Sequence, residues 1–238
     1  MLTCPSCGQE NPEGSRFLES ARGNKGLEAW SIRPVAGFYG MQGRFEEARE
    51  LLAEARAILE DLGRRTDVVT LAFWTGTLEL LSGDPVAAER DVSASAEALE
   101  AAGEKGWLST MATLLAEALC AQGRLDEAEA AVAKSRDATT TDDHSAQALR
   151  RAAEAKILAR RGKFDEAENV AREAVDYVDR TDELNNWGLV REALGEVLSR
   201  AGRADDAAEA LGDALDVFER KGNRVAADRV RARLEEVR

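Results

Sequence analysis

The residues best equipped for chemistry stand near the amino end, in Cys4-Pro-Ser-Cys7-Gly8. Two cysteines on a tight turn ending in glycine can present two thiolates to one Zn²⁺, but a closed structural site needs four ligands. The other candidates are Cys120, set in the apolar pattern of a distant helix, and His144, the one histidine. Two readings follow: a half-site completed by another subunit, which would make a homo-oligomer, or a metal-free remnant. His144 follows Asp142-Asp143 at a helix start, and a general base there would need an oriented partner and a pocket. No phosphate-binding Gly-x-x-x-x-Gly-Lys-Ser/Thr loop occurs, and no strand pattern of useful length could support a nucleotide-binding sheet. Acidic pairs such as Glu46-Glu47 and Asp205-Asp206 recur with a period, which marks them as first-turn helix residues rather than an acid/base dyad. No catalytic or cofactor-binding residue is therefore expected.

The elements around these residues are helical. The 238-residue chain is 44% hydrophobic, 32% charged and only 5% aromatic, the profile of a helical protein. Its net charge of −13 opposes a nucleic acid or an anionic membrane as main partner. No apolar run is long enough to span a bilayer, and the polar amino end lacks the apolar core of a signal peptide. Three cysteines make no disulfide framework, so a reducing cytoplasm is the expected compartment.

A short stretch recurs: Gly43-Arg44-Phe45-Glu46-Glu47-Ala48, then counterparts opening at Gly83, Gly123, Gly162 and Gly202. The steps are 40, 40, 39 and 40 residues, the mark of a stacked repeat array. Each glycine lies between two helical patterns, here called A before it and B after it. In the first B pattern, Phe45, Ala48, Leu51, Leu52, Ala55, Ile58, Leu59 and Leu62 form one apolar stripe, ended by Gly63 as a left-handed cap. Asp84 caps the second, with Pro85 at its first helical position. Small residues fill three places per unit: Ala36, Gly76, Ala116, Ala155 and Gly195 before the glycine; Ala48, Ala88, Ala128, Ala167 and Ala207 after it; then Ala55, Ser95, Ser135, Ala174 and Ala214. Small side chains there let helix backbones approach closely. Four residues before the glycine stand Tyr39, Leu119, Leu158 and Leu198, with Glu79 the exception. Trp74, Trp107 and Trp187 read as core or inter-unit packing. A longer loop is expected between Ser135 and Asp143, with Asp142 or Asp143 capping the next helix. Residues 223–238 read as a closing helix, with Val225, Ala226, Val230 and Leu234 inward and Arg224, Arg229, Arg231, Arg233 and Glu235 toward water.

This pattern resembles the tetratricopeptide repeat: small residues at three close-contact positions, with Gly-x-(apolar)-(Asp/Glu)-Glu-Ala at the inter-helix turn. The resemblance covers about residues 27–222 and implies an all-α, right-handed superhelical solenoid of five antiparallel helix pairs plus a carboxy-terminal capping helix. Residues 1–26 form a separate segment, and 27–238 the repeat domain. In that family the A helices line a concave wall that binds a protein or peptide. Its groove positions fall on Trp30, Arg33 and Met41; Thr70, Phe73 and Thr77; Thr110, Thr113 and Glu117; Lys156 and Arg160; and Glu192, Glu196 and Arg200. The wall would be apolar and hydroxylic at its amino end and carry both charges at its carboxy end. Residues 4–12 resemble the first half of the zinc ribbons that open many bacterial signalling proteins. There a second Cys-x-x-Cys follows an Arg-Phe pair; here Arg16-Phe17 is present, but Leu18 and Ala21 replace the cysteines. Ribbon and repeats together resemble the two ends of bacterial class III adenylate/guanylate cyclase–ATPase proteins. That resemblance implies a relative lacking the catalytic domains, acting as a non-catalytic scaffold in signalling or as a regulatory remnant that modulates a full-length relative.

Overall fold

The computed structural model describes residues 2–3, 10–11 and 24–237. Strands β1 (Leu2–Thr3) and β2 (Glu10–Asn11) pair antiparallel, Leu2 opposite Asn11. Cys4 and Cys7 lie outside the described residues, so the expectation of a thiolate site falls there too.

From Lys25 onward the chain is a run of helical hairpins. Unit one pairs α1 (Lys25–Met41) with α2 (Phe45–Asp61). Unit two pairs α3 (Arg65–Thr70) and α4 (Ala72–Ser82), one A helix in two pieces, with α5 (Pro85–Ala101). Unit three pairs α6 (Lys105–Ala121) with α7 (Leu125–Ala138), and unit four α8 (His144–Arg160) with α9 (Phe164–Val178). Unit five pairs α10 (Leu184–Arg200) with α11 (Ala204–Lys221), and α12 (Arg224–Val237) follows. This is the expected solenoid of five pairs and a capping helix.

The turns form where glycine permits them. Gly43, Gly83, Gly123, Gly162 and Gly202 all have φ between 76 and 86°, a left-handed conformation that costs a side-chain-bearing residue energy. Asp84 accepts from the Ala87 amide at 2.9 Å, and Asp143 from the Ala146 amide at 2.9 Å, so both sequence-read caps form. The loop before Asp143 spans 139–143, because α7 continues through Ser135 to Ala138. Ser135 is fully buried, and its hydroxyl pairs with that of Thr113 at 2.8 Å.

Close approach explains the small residues. The alanines of the three repeated positions are 0% exposed. A Cβ on Gly195 would stand 2.6 Å from Leu211 Cγ, and one on Gly76 would meet Val92. Large apolar side chains then interlock around these contacts; Leu59, Leu71, Leu198, Leu211 and Phe218 are among the most deeply buried. Two departures have local causes. The break at Leu71 lies where the Ser95 hydroxyl of α5 donates to the Val69 carbonyl at 2.8 Å, diverting an acceptor of the helix ladder. Glu79, the polar exception in an apolar column, is 7% exposed and receives Arg49 of α2 through two hydrogen bonds of 2.8 and 2.6 Å. Arg49 in turn stands where units two, three and four carry Glu89, Glu129 and Glu168. Elsewhere the pairing runs the other way: Arg124 holds Glu89 at 2.6 Å and Arg203 holds Glu168. Unit one thus carries at this position the opposite charge from units two and four, and each is paired with an opposite charge at a different position of the next unit.

Candidate protein-interaction wall

The amino-terminal end of the A-helix wall is aromatic and partly open. Trp30 is 53% exposed, and the Arg33 guanidinium lies 4.0 Å from its ring centroid. Pro34 inside α1 has no N–H to give the Trp30 carbonyl. Arg33 itself is buried, its Nη2 has no hydrogen-bond partner, and burial pushes its pKa down against the opposing pull of Asp67. Phe73 is half-buried and meets two tryptophans edge-on, Trp74 at 5.4 Å and Trp107 at 6.1 Å between centroids. Trp107, read from sequence as packing, is 38% exposed and continues this aromatic edge. Met41, Thr77 and Thr110 are half-buried. Thr70 and Thr113 are not on an open wall: Thr70 is buried and donates to the Asp67 carbonyl, and Thr113 is buried between α6 and α7. The register places both on the A helices, but their hydroxyls turn to backbone and to Ser135.

The other half of the wall is a ladder of charges alternating in sign from one A helix to the next. Glu117 of α6 pairs with Lys156 of α8. Arg160 of α8 approaches Glu196 of α10 at 3.4 Å and donates to the Cys120 carbonyl. Glu192 of α10 receives Arg229 of α12 through bonds of 2.7 and 2.6 Å. Arg233 reaches both Glu192 and Glu196 at 3.4 Å, and Arg200 adds a further contact to Glu196 at 3.3 Å. The structure thus joins Glu117, Lys156, Arg160, Glu192, Glu196 and Arg200 in one network. It corrects the reading of Arg229 and Arg233: these residues point into the wall, not to water. Their spacing of four matches that of Glu192 and Glu196, a signal present in the sequence but only meaningful once α12 is known to stack on α10.

Electrostatics follow from this packing. Burial opposes the charge on Glu196, but Lys156, Arg233, Arg160 and Arg200 outweigh it and hold the carboxyl below its usual range. Burial likewise opposes the charge on Lys156, and Glu117 and Glu196 reverse the effect, raising its pKa. Arg229 is raised in the same way, chiefly by Glu192, and feels Glu117 of α6 as well. The Cys120 thiol, buried at this wall, is pushed up to about 11, mainly by burial.

No reaction centre emerges among the described residues. They contain no group of three or more metal-ligating side chains. His144 lies against Tyr177, centroids 5.9 Å apart, with its Nδ1 buried and unpartnered. Glu47 and Asp206, members of the repeated acidic pairs, are held by Arg44 and Arg203 of the same turns. No described helix is long and apolar enough to cross a membrane.

These features define a solenoid of helical hairpins with a side-chain-lined inner wall. Tetratricopeptide-repeat family models match residues 34–62, and residues 112–134, 148–173 and 188–213. Each match straddles the A–B turn of one unit, and the chain carries tetratricopeptide repeats. Unit two is the one left unmatched; it has the broken A helix, the buried Glu79 and the Asp84-Pro85 turn. Among solved structures, BtubC (BKLC) from P. vanneervenii is similar at a TM-score of 0.62 and 17% identity, over 85% of this chain and 87% of that one. A putative kinesin light chain from Podosopora anserina, with nearly identical TPR-like repeats, is similar at 0.56 and 17% identity, over 82% and 96%. At that identity the likeness concerns the fold. A search of curated proteins finds no match.

Proposed function

We propose that this chain is a non-catalytic scaffold that binds a protein or peptide along its A-helix wall, in bacterial signalling. The observation that carries the reading is the partly exposed aromatic edge of Trp30, Phe73 and Trp107 at one end of a wall whose other half is a ladder of ion pairs. Large aromatic side chains left half-exposed on a rigid support are the groups that anchor interfaces. A bound segment would place apolar side chains against this edge and charged ones toward the ladder beyond it. The test is selection of peptides against the purified chain, followed by Trp30→Ala and Phe73→Ala. Each substitution is expected to weaken the selected peptides about tenfold or more. Unchanged affinity in both variants would move the binding site off this wall. Cyclase and ATPase turnover on the same preparation should be absent.

A second reading is favoured by the sequence run of a ribbon-like Cys4-x-x-Cys7 followed by 40-residue repeats. In it the chain modulates a cyclase–ATPase relative by occupying that protein's repeat-binding surface. Mixing the two should change the relative's turnover, and no change at saturation would end this reading.

A further inference from the structure

Among the described residues four charged side chains are buried: Arg33, Glu79, Arg150 and Glu192. Three of them are matched. Glu79 receives Arg49, Arg150 donates to Glu154 at 2.9 Å and to Gln147 at 3.1 Å, and Glu192 receives Arg229. Arg33, 4% exposed, forms no ion pair with a described residue, and its buried Nη2 has no hydrogen-bond partner there. The carboxylate whose charge it feels, Asp67, is itself paired with Arg64. Two guanidiniums thus share one carboxylate, and one positive charge is unmet. A buried charge without a partner is destabilising, and burial accordingly pushes the Arg33 pKa down.

The repeat register shows what is missing. Arg33 and Glu192 each stand ten residues before a repeated glycine, Gly43 and Gly202, so they hold one A-helix position in the first and last units. Glu192 is answered by Arg229 of α12, the helix that stacks after it. Arg33 lies on α1, the first described helix, and no earlier described helix offers it a carboxylate. What lies over the guanidinium is the Trp30 ring, its centroid 4.0 Å from the Arg33 Cζ, on a side chain 53% exposed. Exposed side chains change rotamer within nanoseconds, so this cover is a movable one. The net charge of −13 acts at long range, but within the roughly 8 Å that salt leaves unscreened the unmet guanidinium dominates.

We propose that Arg33 sets the specificity of the wall: the partner segment carries a glutamate or aspartate side chain that turns Trp30 aside and pairs with the Arg33 guanidinium, and the Trp30 ring then packs on the apolar residue beside it. The planar guanidinium fork suits a carboxylate held through two hydrogen bonds. A carboxylate on a flexible side-chain stem reaches this buried group, where one fixed to a main-chain end would stay at the surface. The proposal deepens the reading of the wall as a binding surface and rests on it.

The first test needs no partner. In the full chain, Arg33→Met replaces an unmatched buried charge by an apolar side chain and should raise the melting temperature by about 4 °C. A lowered melting temperature would show Arg33 already paired within the chain, residues 1–23 included, and overturns the proposal. The second test uses peptides selected from a random-sequence library against the parent chain, with each acidic residue changed in turn to its amide. One such change should weaken binding to the parent about tenfold or more, yet alter binding to Arg33→Met by no more than about twofold. Arg33→Lys should keep the acidic preference in weaker form. Acidic residues whose loss costs the same on parent and variant overturn the proposal, as does coupling through the peptide's terminal carboxylate alone. In either case the binding reading stands if Trp30→Ala and Phe73→Ala still weaken the peptides. Peptides indifferent to all three substitutions remove the wall reading and this proposal with it.

Discussion

The repeated small residues are close-contact positions, and a pair of glycines in unit five makes that claim quantitative. Gly195 lies mid-way along α10 and Gly212 mid-way along α11, both in ordinary helical backbone. Replacing either by alanine gains helix propensity, about 1 kcal/mol. At Gly212 a new Cβ meets nothing within 4 Å, so that gain stands alone. At Gly195 the Cβ would lie 2.6 Å from Leu211 Cγ and 3.4 Å from the Leu211 backbone nitrogen. Carbon atoms prefer about 3.5–4.0 Å, so the helices must separate by roughly 1 Å. Leu211 cannot retreat, because it is 1% exposed and its own backbone is part of the contact. Overpacking of this kind costs about 1–3 kcal/mol. The propensity term cancels between the two variants, so Gly195→Ala should be less stable than Gly212→Ala by about 2 kcal/mol. For a chain of this size that is a gap of roughly 4–8 °C in melting temperature. Circular-dichroism melts of both variants beside the parent measure it directly. Equal stabilisation by the two substitutions would refute the close-contact reasoning.

Three other outcomes follow. Glu79→Ala leaves Arg49 without its main partner and should cost about 1–2 kcal/mol, whereas Glu79→Leu restores the apolar column of Leu119, Leu158 and Leu198 and should be neutral or stabilising; chemical denaturation separates them, and equal losses would contradict the ion-pair account. The wall ladder should weaken at both pH extremes. Glu196, held below its ordinary 4.5, contributes stability above that pH and loses it as pH falls through its lowered value. Lys156, raised above 10.5, contributes below that pH and loses it as pH rises through its raised value. Melts of Glu196→Gln and Lys156→Met should therefore flatten the acid and the alkaline limb respectively, and parent-like limbs would show that the ladder does not set them. Finally, the Cys120 thiol, at about 11 and buried, should resist iodoacetamide at neutral pH in a Cys4→Ser, Cys7→Ser background until denaturant is added; rapid native modification would show the wall open at that point.

The hairpins were legible because their punctuation is local. A glycine that must adopt positive φ, a carboxylate cap and an alanine at a helix crossing each act through neighbours a few residues away, and the period repeats them. The polar exceptions were visible as exceptions, but their meaning was not. Glu79 is explained only by Arg49, thirty residues earlier on another helix. Thr113 lies at a groove position in register, yet its hydroxyl is spent on Ser135, because a side chain with a nearby buried acceptor turns inward. The direction of Arg229 and Arg233 depends on where α12 settles, and a period gives the units without the angle between them. The same missing angle hid the contact between the first and last helices: whether the Gln42 side chain after α1 reaches the Gly222 carbonyl before α12 is set by small rotations summed over every junction.

If partners engage the A helices and not the outer B helices, as proposed, hydrogen exchange of the chain with and without a selected peptide will be slowed in α1, α4 and α6 around Trp30, Phe73 and Trp107, with α2, α5 and α7 unchanged. Protection confined to the B helices, or to residues 1–23, would contradict it.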